Sequence, residues 1–251
     1  MSETTEGSKP DFVGMYDQTI LHPMTRSQYG GSGFYNVGDW SNGAADAKSA
    51  CEALVGRHIS AAHLDAPGLT IVDVGCGLGD STAQIHKAAQ PDADVTGINI
   101  SEAQLADARQ RHPEVRFQQM DASQLTFPES TIDRLIAVES VFHFNTRETF
   151  LDSALHVLRP GGLLVMTDVL FTKESDPWDW WVPAANRGLQ IEDYANHCAA
   201  RGFDVAQIED VTAQTWQAFC ADLRAQGRDA AADRIEPWVS HYLFAVLRKP
   251  A

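Results

Sequence analysis

The feature that most constrains this chain is a regular alternation of short apolar runs with helical stretches. TIVDVG, DVTGINI, VRFQQMD, RLIAVES and LLVMTDVLF, spread over residues 70 to 171, each close near a polar or acidic residue. Most are separated by segments with helical spacing: STAQIHKAAQ, SEAQLADARQRH and RETFLDSALHVLRPGG. Strands with helices between them pair in parallel, and a parallel sheet buries both faces under those helices. Two later runs, FDVAQIEDVT and HYLFAVLRKP, bring the expected strands to seven. The pattern predicts an α/β fold with a doubly wound, mostly parallel sheet that binds its ligands at the carboxyl ends of the strands.

The flanking regions differ in texture. Residues 1–45 contain QYGGSGFYNVGDWSNG, too irregular for a sheet core and too aromatic for a disordered tail, so an ordered cap is expected. Residues 46–66 space their apolar side chains as an amphipathic helix does. ESDPWDWWVPAANRG gathers Trp178, Trp180 and Trp181 between two prolines, as a loop or broken helix. The expected organisation is an N-terminal cap over 1–45 and one domain over 46–251, with a lid insertion at about 173–188 and a helical insertion at about 213–238.

At 251 residues, 44% hydrophobic and 21% charged, the chain can bury a full core. The first fourteen residues lack the basic start and apolar run of a secretion signal, and no segment reaches the roughly 18 apolar residues of a membrane span. The four cysteines, Cys51, Cys76, Cys198 and Cys220, are scattered, as free thiols in a reducing cytoplasm would be. A net charge of −15 disfavours phosphate backbones and favours small uncharged or cationic partners. Neither a nucleic acid nor a membrane is therefore expected as partner, and self-association is left open.

The most informative chemistry is in VDVGCGLGD. A strand ends at Asp73, and Gly75, Gly77 and Gly79 then let the backbone turn and approach a ligand just before a helix N-terminus. The D-x-G-x-G-x-G spacing is neither the dinucleotide fingerprint nor the phosphate loop. Asn99, twenty residues beyond Gly79, ends the second strand where the partner of a ribose hydroxyl sits in nucleotide-binding sheets, and Asp121 ends the third.

In combination, DVGCGLG, MDA and LRPGGLLVMTD resemble the class I S-adenosylmethionine-dependent methyltransferases. GINISEAQ and YNVGDW are similar to a bacterial small-molecule subgroup that includes natural-product sugar O-methyltransferases and cyclopropane fatty acid synthases. The resemblance implies a Rossmann-like sheet of seven strands with the last antiparallel, plus cap and lid helices. It also implies a cofactor, S-adenosylmethionine, leaving as S-adenosylhomocysteine. Gly75, Gly77 and Gly79 would pass under its methionine part and Asp73 would hold its amino group or a bridging water. Asn99 and Ile100 would flank ribose and adenine, Gln104 would pack at the ribose edge, and Asp121 with Ala122 would meet the adenine amino group. Many members carry an acid where this chain has Asn99, an exchange that the subgroup often makes, and an amide lacks the charge that strengthens bonds to hydroxyls. Asn99 also reads as a turn residue at the start of the next helix.

AVESVFHFN, residues 137–145, then falls at the end of the fourth strand, beside the methyl group. Glu139 would border the methionine moiety, with Phe142 and Phe144 in the floor of the acceptor pocket. His143 is either core filling between two phenylalanines or a base that takes the acceptor's proton, a role imidazole suits near neutrality. Sugar O-methyltransferases of the subgroup carry a histidine there and an acid at the end of the fifth strand, here Asp168, expected to orient the imidazole or the acceptor hydroxyl. Tyr35 and Trp40 either pin the cap to the sheet or close over acceptor and cofactor, and Trp178 and Trp181 either pack a lid or line the acceptor site. ESVF lacks the proline of base-modifying enzymes, and Asp168 is followed by Val169 rather than the amide of metal-dependent catechol enzymes, so no metal is expected. The expected activity is methyl transfer to a small-molecule hydroxyl, of a natural product or sugar, with N- or C-methylation of a small metabolite, or a cyclase or binding module that holds the cofactor without transferring its methyl, as alternatives.

Overall fold

The computed structural model describes residues 12–172 and 182–251. Its centre is a seven-stranded sheet of β1 (Thr70–Val74), β2 (Asp94–Asn99), β3 (Arg116–Gln119), β4 (Ile132–Ala137), β5 (Leu158–Phe171), β6 (Asp204–Asp210) and β7 (Val239–Arg248), in the spatial order β3-β2-β1-β4-β5-β7-β6. The first five strands pair in parallel, and β7 runs antiparallel to both β5 and β6.

Side chains alternate across the sheet, so neighbours in sequence serve different layers. Ile71, Ile136 and Val165 join one buried cluster with Cys51, Leu54 and Val55 of α3 (Ala47–Ala62) and Ile85 of α4 (Asp80–Ala88). Val72, Leu135, Leu164 and Met166 join the opposite cluster with Phe150, Leu151 and Ala154 of α6 (Arg147–Val157) and Tyr194 and Cys198 of α7 (Ile191–Ala200). Burying each such aliphatic side chain contributes roughly 1.5–3 kcal/mol, which is why these strands are apolar on both faces. Helix α5 (Glu102–Arg111) covers β3 through Leu105 and Ala108, which cluster with Phe117.

The start of α3 is set by a reciprocal cap in which Asp46 accepts from the Ser49 amide and the Ser49 hydroxyl accepts from the Asp46 amide. Between β6 and β7 lie α8 (Ala218–Ala225) and α9 (Asp229–Ile235). Ahead of α3, two short helices, α1 (Phe12–Ile20) and α2 (Pro23–Gln28), lead into an irregular segment bolted to the domain. The Gly33 amide donates to Asp80 (3.0 Å), the Val37 amide to Glu139 (2.8 Å) and the Trp40 amide to the Gln214 carbonyl (2.9 Å). The two helices were not apparent in the sequence, since they are only nine and six residues long and Gly14 lowers the helix propensity of α1. Among the described residues, no helix is long and apolar enough to cross a membrane.

Candidate active site

Strands β1 and β4 lie side by side, and from them the chain moves to opposite edges of the sheet, leaving a crevice at their carboxyl ends. A cleft of about 1170 Å³ opens there. Its walls are the turn after β1, the ends of β2, β3 and β4, and on the outer side Phe12, Val13, Tyr16 and Ile20 of α1 with Gly33–Asn36.

Gly75, Gly77 and Gly79 all adopt positive φ, at +77°, +54° and +88°. A Cβ on Gly75 would stand 2.6 Å from that of Ser140, and one on Gly79 would meet the Phe117 ring at 2.7 Å. On Gly77 the nearest such atom is Gln104 Oε1, at 4.0 Å. Packing therefore demands glycine at 75 and 79, whereas at 77 a side chain would enter the cleft itself. That cradle fits a ligand lying against the turn.

The Asp73 side chain does not line this cleft, so of its two expected roles the direct hold on the ligand amino group has no support in the geometry, and one through a bridging group remains. Asp73 is buried behind the turn, where its Oδ2 accepts from Ser81 (2.6 Å) and Thr82 (2.7 Å), fixing the first turn of α4. Burial pushes its carboxyl up to about 6 against the pull of those hydroxyls. Ser81, absent from the sequence reading, is the side chain of this group that faces the cleft.

Asn99, Ile100, Gln104, Asp121 and Ala122 all line the cleft. Asn99 donates to Gln104 Oε1 (2.8 Å) and accepts from the Ser101 amide (3.3 Å), so it both faces the cleft and shapes the start of α5. Asp121 is exposed, with Oδ1 accepting from the Ser123 amide at 2.8 Å. Trp40 lies away from the cleft: its indole donates to the Val37 carbonyl at 2.9 Å, and the half-buried ring packs against the core, so of its two expected roles the geometry favours pinning the cap.

A second cavity of about 560 Å³ adjoins the first and shares with it Tyr16, Tyr35, Glu139 and His143. Beyond these its walls are Phe142, Val169, Phe171, Val182, Trp216, Trp238, Val239 and Tyr242. Phe144 faces the first cleft instead. Trp178 and Trp181 lie outside the described residues. The His143 ring is held by Phe142, Tyr16 and Phe12, with centroids 4.0, 5.2 and 5.7 Å away.

Glu139 stands between the cavities with φ +51°. Its Oε2 accepts from the Tyr242 hydroxyl (2.6 Å) and the Val37 amide (2.8 Å). Burial raises its carboxyl from 4.5 to about 7, with those two donors pulling the other way. A carboxyl raised on folding stabilises the fold fully below its unfolded value and loses that contribution as pH climbs through the folded one. Between pH 4.5 and 7 the wild type should therefore lose melting temperature relative to Glu139→Gln. Parallel slopes for the two proteins across that window would show that the carboxyl is not perturbed. Burial also drives the Tyr16 and Tyr242 hydroxyls well above their ordinary range and Tyr35 up to about 12, so all three stay protonated. His143 and Glu139 are then the groups at this junction able to accept a proton.

Asp168, expected to orient the imidazole, is instead fully buried in a network apart from both cavities. Its Oδ2 accepts from Arg147 Nε (2.5 Å) and the Tyr194 hydroxyl (2.7 Å), and its Oδ1 from Arg147 Nη2 (3.1 Å) and the Val169 amide (2.8 Å). Arg147 also donates to the Asn186 carbonyl (3.0 Å), and the Asn186 amide group donates to the carbonyls of Phe142 (3.0 Å) and Phe144 (2.8 Å), on either side of His143. The acid thus acts on the histidine's loop through two intermediaries.

Residues 71–162 match a family described as a methyltransferase domain. An O-methyltransferase of Penicillium expansum is 37% identical over 71% of this chain and 68% of its own. The chain belongs to the S-adenosylmethionine-dependent methyltransferases. The 27-O-demethylrifamycin SV methyltransferase of Amycolatopsis mediterranei is 31% identical over 79% of this chain and 78% of its own. Among solved structures, the [4+2]-cyclase SpnF superposes with a TM-score of 0.77 at 26% identity, covering 95% of each chain. For a methyltransferase with this cradle, Gly77→Val should abolish binding of S-adenosylhomocysteine by calorimetry while the variant still melts cooperatively. Unchanged affinity in a folded variant would show that the ligand does not pass over the turn.

Proposed function

We propose that this methyltransferase acts on a hydroxyl of a small, largely apolar natural product, with His143 as general base. The observation that carries the reading is the position of His143, at the junction of the glycine-floored cleft and the aromatic cavity. S-adenosylmethionine, when bound, supplies an electrophilic methyl group. The chain's own residues do the rest. The turn at Gly75 and Gly77, Asn99, Gln104 and Asp121 hold the nucleoside and its methionine part. Phe142, Phe171 and Trp238 exclude water around the acceptor, and alignment of the two reactants supplies several kcal/mol. His143 removes the hydroxyl proton as the oxygen attacks, and above about pH 7, where Glu139 is ionised, that carboxylate offsets the imidazolium charge. The Glu139 carboxyl is held in place at the junction by Tyr242 and the Val37 amide, both on Oε2. The aromatic walls favour a polyketide-like or aromatic acceptor over a free sugar, in keeping with the rifamycin-methylating relative.

The likeness to SpnF supports a second reading, in which the bound cofactor is a structural element and the cavity folds a substrate for ring closure. Incubation with methyl-labelled cofactor and a panel of hydroxylated aromatic and polyketide acceptors separates the two. Methyl transfer predicts a labelled methyl ether and one S-adenosylhomocysteine per turnover. Acceptor consumption without either product would replace the transferase reading with the cyclase.

A further inference from the structure

We propose that Asp17 of α1 is a positioning residue of the cofactor site: its carboxylate does not itself line the cleft, but from the N-terminal cap it orients, through Gln104 and Ser101, the polar surface that would carry the ribose beside an uncharged Asn99. Strand β2 ends in an amide, Asn99, which cannot strengthen a bond to a diol by charge. A carboxylate nevertheless stands in the same hydrogen-bonded group. Gln104 Nε2 donates to Asp17 Oδ1 at 2.7 Å, and the Ser101 hydroxyl donates to both Asp17 oxygens, at 2.7 and 2.9 Å. Asn99, Ser101 and Gln104 are all buried and all line the cleft.

The direction of each bond in this group follows from Asp17. An ionised carboxylate only accepts, so the Gln104 amide must turn its NH₂ toward it. Gln104 Oε1 is thereby left facing Asn99 Nδ2, at 2.8 Å, and Asn99 Oδ1 faces the Ser101 amide. Asp17 thus orients the polar surface on which the diol would rest. Docking of the cap to α5 does not need this carboxylate alone, because Arg26 of α2 pairs with Asp107 at 2.6 Å.

Calorimetry with S-adenosylhomocysteine tests the assignment without any turnover. Asp17→Ala should bind at least about tenfold more weakly, and the isosteric Asp17→Asn should do the same without opening space in the cap. Asn99→Asp alone should also weaken binding, because two carboxylates would compete for one Gln104 amide. Combining Asp17→Ala with Asn99→Asp should regain most of the lost affinity, because Gln104 can then turn its NH₂ to position 99. The 2′-deoxy analogue should lose little further on Asp17→Asn. Wild-type affinity in Asp17→Asn, with only a lowered melting temperature, would reduce the residue to a helix latch and overturn the proposal. So would a loss that Asn99→Asp fails to restore.

Discussion

Replacing His143 by alanine is expected to cut turnover by roughly 10²–10⁴-fold while leaving the affinity for S-adenosylhomocysteine nearly unchanged. The ring packs on Phe12, Tyr16 and Phe142, where the two cavities meet, whereas Asn99 bonds to Gln104 and Gln104 to Asp17 on the cofactor side. Its loss should therefore fall on the chemical step. A base must be unprotonated, so the wild-type rate should rise with pH along a limb that the variant lacks. Removing an aromatic partner from Phe12 and Tyr16 loosens the cap, so melting temperature is read alongside the rate. Full activity with the same limb would return the ring to packing, and loss of that limb in Glu139→Gln instead would move the base to Glu139, four residues earlier on the same wall.

Asp168→Ala should act on the fold before it acts on the rate. Both partners of the Arg147 pair are inaccessible, at 1% and 0% exposure, and removing one leaves a charge buried without its partner. Such losses cost about 3–5 kcal/mol, enough to lower the melting temperature by many degrees, whereas Asp168→Asn keeps shape and part of the hydrogen bonding and should cost less. The folded fraction should still bind S-adenosylhomocysteine, because neither residue borders the cleft. Turnover per folded molecule should drop as well, since Arg147 positions Asn186 and Asn186 grips the carbonyls beside His143. An unchanged melting temperature with a pure rate defect would restore the direct orienting role that the sequence suggested.

The contrast between these two residues shows what the sequence could disclose. His143 lies six residues beyond the end of β4, a strand that its apolar run locates, so its neighbourhood was legible. Asp168 shares that local pattern, but its role is decided by Arg147 and Tyr194, 21 and 26 residues away on different helices. Arg147 opens a helix in a polar stretch, where a cation ordinarily faces solvent, so nothing local marked it as buried. The direct contact expected of Asp73 failed for a related reason: its spacing from the glycines was right, but the side chain points back to Ser81 and Thr82. Asp17 had no local signal, because its partners lie 84 and 87 residues along the chain. Glycine spacing reports what the backbone must do, whereas the partner of a carboxylate is a tertiary fact.

The strand order carries a consequence for synthesis. Strand β7 is made after β6 yet lies between β5 and β6, and β6 has no other neighbour in the sheet. On a ribosome releasing the chain progressively, β6 stays unpaired and the outer edge of β5 stays open until β7 emerges and inserts between them. Open edges invite pairing with other chains, so this interval is when the nascent protein is most exposed to aggregation and to chaperone capture. A stop codon ahead of β7 would cost the sheet two strands rather than one, together with Tyr242, which braces Glu139.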